Sequence, residues 1–351
     1  MDVTRQTWTA TVSAVLFVVL AAVIALVPVP YVTWSPGSTH NLIDPGAEAI
    51  RITGAKTYPT TGKLLMTTVS VTSPDATLSL PELLFSYWLP SREVLPRSAI
   101  YKVGEDASEI NADETQLMTA SQSDAIVAGL RQAGIAVTAW PMVSSVTTSG
   151  PANDILKPGD LIQAVDNQTT TTVQEVQDQV ARHHVGDAVG FTILRDGALV
   201  RPNPYVTTRA TAADPQKPIV GITLTTGYTY KPKVSFALEP GVGGSSAGLM
   251  FALAIADKLS GLDLTTGRVI AGTGTIDANG TVGPIGGVQE KIAAAARDGA
   301  SVFLLPKENC EDVGQAPAGP RLVPVETISG AIEALGALDK PGAANTVPAC
   351  R

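Results

Sequence analysis

A long apolar stretch near the N-terminus constrains this chain most. No charged residue lies between Arg5 and Asp44, and most of the 22 residues from Trp8 to Val29 are apolar. About 20 apolar residues are enough for a helix to cross the hydrocarbon core of a bilayer. The stretch therefore predicts a transmembrane helix, with residues 1–30 forming a short cytoplasmic N-terminus and a signal anchor.

Two other interpretations of this stretch remain open, a cleaved signal peptide and a buried core helix. The run is long for a signal peptide, and it ends in Pro28-Val29-Pro30 without a small-x-small cleavage site. Arg5 and the terminal amine contribute two positive charges, against one negative charge from Asp2. By the positive-inside rule, this balance favours a cytoplasmic N-terminus. The sequence thus predicts a single-pass protein of the cell membrane, with the bulk of the chain extracytoplasmic.

The composition limits the kinds of ligand and the number of domains. A chain of 351 residues can form two or three domains. Its net charge of −8, without any basic run, argues against nucleic acid as a partner. Three histidines and two cysteines are too few for a zinc finger or a multi-histidine metal site. We expect no bound metal and no cofactor. Outside the membrane Cys310 and Cys350 could pair, or both could be buried free thiols.

Breaks in the hydrophobic pattern divide the rest of the chain. The first part contains a strand at Lys63–Val71, an apolar patch at Leu78–Leu89 and a helix at Ser121–Gly134. Thr208–Lys217 resembles a linker. The predicted regions are an N-terminal extracytoplasmic segment (31–135), a compact unit of short strands and one helix (136–207), an α/β unit (215–341) and a tail (342–351). We expect the tail to be loose unless Cys350 is bonded.

The compact unit begins with Ser149-Gly150-Pro151-Ala152. After it come Leu156-Lys157-Pro158-Gly159-Asp160-Leu161-Ile162, a helix at Val173–His183 and a strand at Ala188–Leu194. This order resembles a PDZ domain of the bacterial type. The resemblance implies that an extended peptide is added to a sheet edge, with loop amides holding its terminal carboxylate. That loop would lie near Gly134–Val137, which matches the glycine-aromatic loop of the family poorly.

A glycine-rich turn, Gly243–Gly248, joins a strand at Val234–Leu238 to an apolar helix that runs to Leu259. A serine at such a turn lies beside unpaired helix amides, which can stabilise the oxyanion of an acyl-transfer reaction. It can equally well be a helix cap. A P-loop is excluded because the chain contains no G-x-x-x-x-G-K-[ST], and a hydrolase triad fails because no histidine follows His184.

Lys291 is the candidate for the missing base. It lies in a predicted helix from Val288 to Arg297, on the same face as Val288, Ala294 and Ala295. Burial among these side chains would lower the pKa of the amine towards the range of a general base. Glu290 and Arg297 lie seven residues apart on another face, where both side chains can remain solvated. The alternative is a lysine that merely extends to solvent.

Together these segments resemble the proteolytic domain of Lon-type serine peptidases. Gly244–Gly248 corresponds to the family's G-P-S-A-G motif, with Ser245 in place of proline. Pro284-Ile285-Gly286-Gly287-Val288-Gln289-Glu290-Lys291 corresponds to P-I-G-G-(L/V)-x-E-K. Thr273-Gly274-Thr275-Ile276 corresponds to its T-G-x-I strand. The segments Lys63–Val71 and Ser121–Gly134 resemble the start of the same fold, which suggests that the PDZ-like unit is inserted in it. The fold class is thus α+β and α/β.

The resemblance implies a Ser–Lys dyad. Ser246 would be the nucleophile and Lys291 the base, with Thr273 bonding near the lysine and the amides of Gly244 and Ser245 holding the oxyanion. The predicted function is a membrane-anchored, ATP-independent serine endopeptidase that hydrolyses extended or misfolded envelope proteins with help from its PDZ domain. The alternatives are a catalytically silent, tethered PDZ scaffold and a protein that cuts only itself. The sequence leaves oligomerisation open.

Overall fold

The computed structural model describes residues 5–89, 91–102, 104, 106–211, 214–239, 241–314, 319–340, 342 and 346–350. Asp2, which enters the predicted orientation, lies outside the described residues, as does the end of the tail at Arg351. The chain forms two compact units. One contains residues 1–134 and 232–351, and the other contains residues 135–231. The second unit is therefore inserted in the sequence of the first.

The N-terminal segment of the first unit supplies four helices and six strands among its described residues. In order they are α1 (Arg5–Leu26), β1 (Pro28–Val29), β2 (Tyr31–Asn41), β3 (Ile50–Thr53), β4 (Lys63–Val71), β5 (Leu78–Ser79), α2 (Leu80–Trp88), β6 (Glu93–Pro96), α3 (Arg97–Ile100) and α4 (Ala107–Gln132).

Helix α4 begins well before the predicted start at Ser121. Asp106 caps it by accepting hydrogen bonds from the amides of Ser108 and Glu109, and the side chain of Glu109 returns to the amide of Asp106. This capping box satisfies amides that would otherwise lack partners at the helix start. The additional N-terminal part of α4 includes Glu114, which lies next to Gly243 and Gly244 of the glycine-rich turn.

The inserted unit contains β7 (Thr138–Val146), β8 (Leu161–Val165), β9 (Gln168–Thr169), α5 (Val173–Ala181), β10 (Ala188–Arg195), β11 (Ala198–Leu199), β12 (Tyr205–Thr207), β13 (Arg209–Ala210), β14 (Pro218–Ile219) and β15 (Ile222–Thr229). Its main sheet has the order β11-β10-β8-β7-β15. Strand β15 pairs with β7 along its whole length. For this reason residues 215–231 fall in the inserted unit, whereas the sequence placed them at the start of the following domain.

The C-terminal segment returns to the first unit with β16 (Lys233–Phe236), α6 (Gly248–Ser260), β17 (Val269–Gly272), β18 (Thr275–Ile276), β19 (Val282–Gly283), α7 (Val288–Arg297), β20 (Val302–Pro306), a 3₁₀ helix (Lys307–Val313), β21 (Arg321–Val325) and α8 (Ile328–Leu338). The unit's main sheet has the order β21-β20-β17-β4-β2-β6. Strands β4, β17, β20 and β21 run parallel, and β2 pairs antiparallel with both β4 and β6.

Helix α6 forms the centre of the core of the first unit. Nearly all of its residues are buried, in keeping with an apolar pattern that has no polar face. Helix α4 crosses it closely at Gly129, where an added Cβ would lie 2.8 Å from the carbonyl oxygen of Ala252. Helix α6 ends at Ser260 because Gly261 adopts a left-handed conformation, with φ of 71°. Because α6 is packed on all sides, it holds the C-terminal end of the turn Gly243–Gly248 in place.

The two cysteines are joined. Cys310 and Cys350 form a disulfide, with their Cα atoms 5.2 Å apart. The amide of Cys350 also donates to the carbonyl of Leu322, and Arg321 donates to the carbonyl of Val347. The described part of the predicted loose tail is therefore attached to β21.

From Thr7 to Leu26, helix α1 has no buried face. Its residues from Thr7 to Leu26 have a mean hydropathy of 2.6, and none of them is buried. Within the described residues this is the single helix long and apolar enough to cross a membrane. A signal sequence near an N-terminus would have the same length and composition.

Candidate active site

The predicted nucleophile lies in the turn between β16 and α6, at the start of the buried helix. Ser246 is half-buried and lines a cleft of about 920 Å³ in the first unit. Gly244, Ser245 and Lys291 line the same cleft. The structure thus brings both members of the predicted dyad to one cleft, although 45 residues separate them in the sequence.

Hydrogen bonds from Thr273, Gly274 and Ser121 hold the turn. The carbonyl of Ser246 accepts from the amide of Gly274 at 2.8 Å and from the hydroxyl of Thr273 at 3.0 Å. The carbonyl of Ser245 accepts from the hydroxyl of Ser121 at 3.0 Å. These bonds fix the turn despite the serine that stands where Lon-type peptidases have proline. Ser121 was not foreseen, because no sequence pattern links two residues 124 positions apart.

The amide of Gly244 is already occupied. It donates a 3.1 Å hydrogen bond to the carbonyl of Glu114 in α4. Gly244 has φ of 82°, a left-handed conformation that favours glycine. This geometry does not provide the predicted contribution of Gly244 to the oxyanion site, because its N–H points to the helix.

The next two amides are available. Among the described residues, the N–H groups of Ser245 and Ser246 donate to no protein acceptor. They precede the first turn of α6, where the positive end of the helix dipole favours negative charge. Two unpartnered amides beside a serine hydroxyl can stabilise an oxyanion.

Lys291 is buried in the wall of the same cleft. Its residue is 3% exposed, and Val288, Ala294 and Ala295 are buried with it, as the helical face predicted. Burial lowers the pKa of the amine to about 8 from its ordinary 10.5, because the ammonium form is desolvated. None of the ion pairs between described residues includes Lys291. The amine is therefore a potential proton acceptor near neutral pH.

The expectation that Glu290 is solvated was wrong. Glu290 is 3% exposed and lines a second pocket with Trp34 and Arg92. Burial, with Glu93 nearby, raises the pKa of its carboxyl. Helix α7 contacts β2 and β4 and so is covered more widely than its pattern suggested.

Thr273 lies beneath the cleft rather than in its wall. It is fully buried, and its hydroxyl bonds to the carbonyl of Ser246, whereas Thr275 lines the cleft. The hydroxyl of Thr273 thus contacts the backbone of Ser246, the predicted nucleophile. Within the described residues no cluster of His, Cys, Asp or Glu side chains is arranged to hold a metal ion.

The inserted unit has its own groove, of about 600 Å³. Its walls are α5, with Val176 and Val180, and the segment from Lys217 to Ile222. Strand β15 lies at one end of the path of the main sheet, next to this groove. Residues 134–137, where the sequence placed the carboxylate loop, are not among the lining residues. The segment that borders the groove is instead Pro218–Gly221, which contains β14 and the two residues before β15.

Two family models match this chain. Residues 240–332 match the Lon protease (S16) C-terminal proteolytic domain, and residues 124–202 match the PDZ domain. The chain therefore contains a proteolytic domain of the serine-peptidase type found in Lon, together with a PDZ domain. The first match includes Ser246, Thr273 and Lys291.

Curated relatives resemble the same region. The Lon protease of Syntrophomonas wolfei is 47% identical over 75 residues, which are 21% of this chain and 9% of the relative. The Lon protease of Chloroflexus aggregans is 39% identical over 87 residues, 24% of this chain and 10% of the relative. This chain thus spans about a tenth of the length of these relatives.

Among solved structures, the PDZ domain of the SdrC-like protein from Listeria monocytogenes is 29% identical to this chain. The match covers 24% of this chain and 87% of that one, with a TM-score of 0.23. The corresponding domain from Listeria innocua is 28% identical to this chain. That match covers 24% of this chain and 92% of the Listeria innocua chain, with a TM-score of 0.22. The assignment of the PDZ domain rests on the family model.

Proposed function

We propose that this chain is a serine endopeptidase in which Ser246 is the nucleophile and Lys291 the general base. One observation carries the proposal. A buried lysine with a pKa of about 8 shares a cleft with a serine whose neighbouring amides are unpartnered. A serine hydroxyl is a weak nucleophile until an adjacent base removes its proton, and a desolvated amine can do so.

The reaction follows from these groups. The neutral amine of Lys291 accepts the proton of the Ser246 hydroxyl while its oxygen attacks the peptide carbonyl. The amides of Ser245 and Ser246 stabilise the resulting oxyanion. The carbon–nitrogen bond then breaks, and the ammonium of Lys291 returns the proton to the leaving amine. A water molecule, deprotonated by the same amine, hydrolyses the acyl-enzyme and restores the serine.

Two features support an extracytoplasmic location for the bulk of the chain. Helix α1 has the length of a membrane span, and Cys310 is disulfide-bonded to Cys350. Disulfides persist in oxidising compartments and are rare in the cytosol. We infer a single-pass membrane protein whose substrates are extended or misfolded envelope proteins.

Hydrolysis by this chain needs no ATP in our proposal, because the chain contains no P-loop sequence. Extended substrates suit such an enzyme, since they require no unfolding. The groove of the PDZ domain would add the C-terminal segment of a substrate to the edge of β15. A carboxylate at the end of that segment would reach the amides near Gly221.

The test is hydrolysis of a quenched fluorescent peptide by the full chain in detergent. Ser246→Ala should abolish turnover and leave the melting temperature within a degree or so of wild type. Ser245→Ala is the matched control, and it should retain turnover because its hydroxyl has no part in the reaction. Peptide binding without turnover in all three proteins would instead support a silent, tethered scaffold. Cleavage of the chain itself without cleavage of peptides would support self-processing.

A further inference from the structure

The apolar patch predicted at Leu78–Leu89 forms helix α2, and its apolar side faces outwards. Leu84 and Phe85 lie three and four residues after Pro81, and Trp88 lies four and three residues after them, so the four side chains share a face. All four are exposed, with Phe85 at 59% and Trp88 at 77%. On the other side Ser86 is buried. This is the reverse of the pattern of a helix that faces water.

The apolar stripe of Pro81, Leu84, Phe85 and Trp88 contains no charged side chain. The one charged residue of α2 is Glu82, whose carboxylate is bonded to the amide and hydroxyl of Ser79 in a capping box at the helix start. Tyr87, beside the stripe, is 72% exposed. Contiguous exposed apolar side chains of this kind mark a surface that is covered in the working protein.

The position of α2 points to what covers it. Strand β1, which begins two residues after α1 ends, pairs antiparallel with β5, so that Pro28 lies opposite Ser79. Helix α2 begins at the next residue, Leu80, and it contacts α1. The amide of Arg97 binds the carbonyl of Pro30 on the same short stretch. Paired strands are about 5 Å apart, so α2 starts at the level where α1 leaves the bilayer core.

We propose that the exposed stripe of α2 inserts into the interfacial layer of the bilayer crossed by α1. The inference rests on the proposed membrane anchor and adds a second contact to it. Tryptophan and tyrosine favour the headgroup level, because the ring is apolar and its polar group remains hydrated. A helix that lies in the interface buries its apolar face at the boundary between headgroups and acyl chains.

The second contact has a consequence for the first unit. A single spanning helix allows the attached domain to tilt and to rotate about its exit point. A helix lying in the interface beside that point restricts both motions, because α2 and the main sheet belong to the same compact unit. The active-site cleft would then hold a defined orientation to the membrane surface.

The experiment measures tryptophan fluorescence of the full chain in phosphatidylcholine vesicles. The lipids carry bromine either near the headgroup end of their acyl chains or near the chain ends. The contribution of Trp88 is the difference between wild type and Trp88→Phe. We expect this difference to be quenched most strongly by bromine near the headgroups. Trp140→Phe is the matched control, and removing Trp140, which lies in the inserted unit, should leave the quenched emission unchanged.

Flotation of the vesicles separates the inference from the anchor. If the chain floats with the vesicles but Trp88→Phe leaves the quenched emission unchanged, the interfacial contact is contradicted and the anchor stands. A Trp88 signal that is shielded from aqueous iodide but not quenched by brominated lipid would show a protein occupant, such as a second copy, and would overturn the inference. A chain that does not float contradicts both.

Discussion

The hydroxyl of Thr273 donates a 3.0 Å hydrogen bond to the carbonyl oxygen of Ser246. The amide of Gly274 donates to the same oxygen at 2.8 Å. Thr273 is fully buried directly after β17, a strand inside the main sheet. The turn that contains Ser246, the proposed nucleophile, is thereby bonded to the residues that directly follow a strand of the main sheet. We therefore propose that Thr273 is a positioning residue.

Replacing Thr273 with valine should lower kcat about tenfold and leave KM nearly unchanged, because lost positioning affects the reaction more than binding. The free energy of unfolding should fall by about 1 kcal/mol, the usual net value of one hydrogen bond. Thr273→Ser keeps the donor and should recover most of the lost kcat. Wild-type kcat in Thr273→Val would show that the hydroxyl has no positioning role.

The pH dependence of hydrolysis follows from the state of Lys291. Burial lowers the pKa of the amine to about 8, and the protonated form below that pH cannot accept the serine proton. We therefore expect kcat/KM to rise with pH through about 8 and then level off. Lys291→Arg, which remains charged throughout, should be inactive at every pH. A flat profile through this range would contradict the assignment of the base.

Lys291 should also reduce stability. Its pKa is lower in the folded chain than the ordinary value of 10.5, so the unfolded chain binds more protons between about pH 8 and 10.5. The free energy of unfolding of wild type should rise with pH across this window. Lys291→Met has no buried ammonium and so no desolvation cost. This variant should therefore be more stable than wild type at pH 7, by on the order of 3 kcal/mol at most. Chemical denaturation at pH 7 and at pH 10 would measure both effects, and equal stability of the two proteins at pH 7 would refute the desolvation argument.

Peptide binding by the PDZ groove should depend on the charge at its rim. Lys217 is exposed, lines the groove and directly precedes the segment Pro218–Gly221. Lys217→Glu should bind a peptide with a free C-terminal carboxylate about tenfold more weakly than wild type does. A peptide with an amidated C-terminus should bind wild type and Lys217→Glu equally weakly. Lys231→Glu, at an exposed lysine outside the groove lining, is the control for net charge. Equal affinity for free and amidated peptides would contradict this mode of binding.

Much of the site could be predicted because the residues that form each of its strands and helices are contiguous in the sequence. The bounds of β4 and of α7 are those that the periodicity predicted, and the buried face of α7 is the predicted one. Helix α4 was underestimated because the capping box at Asp106 lies far upstream of its apolar residues. That signal was present in the sequence.

Other features had no local signal. The bond from Gly244 to Glu114, which removes one predicted oxyanion donor, joins residues 130 positions apart through the packing of α4 against the turn. The burial of Glu290 depends on the covering of α7 by Trp34 and its neighbours. Such contacts form only when distant segments pack together, so the periodicity of a single helix could not predict them.

Covalent labelling by a fluorophosphonate probe across the pH range tests the dyad most directly, because it reports the reactivity of one hydroxyl without the need for a natural substrate. The full chain should incorporate one probe at Ser246, at a rate that rises through about pH 8, the pKa of Lys291. Labelling should be absent from Ser246→Ala and lost at every pH from Lys291→Arg. Labelling at Ser245, or at Ser246 with a rate that Lys291→Arg leaves unchanged, would contradict the dyad.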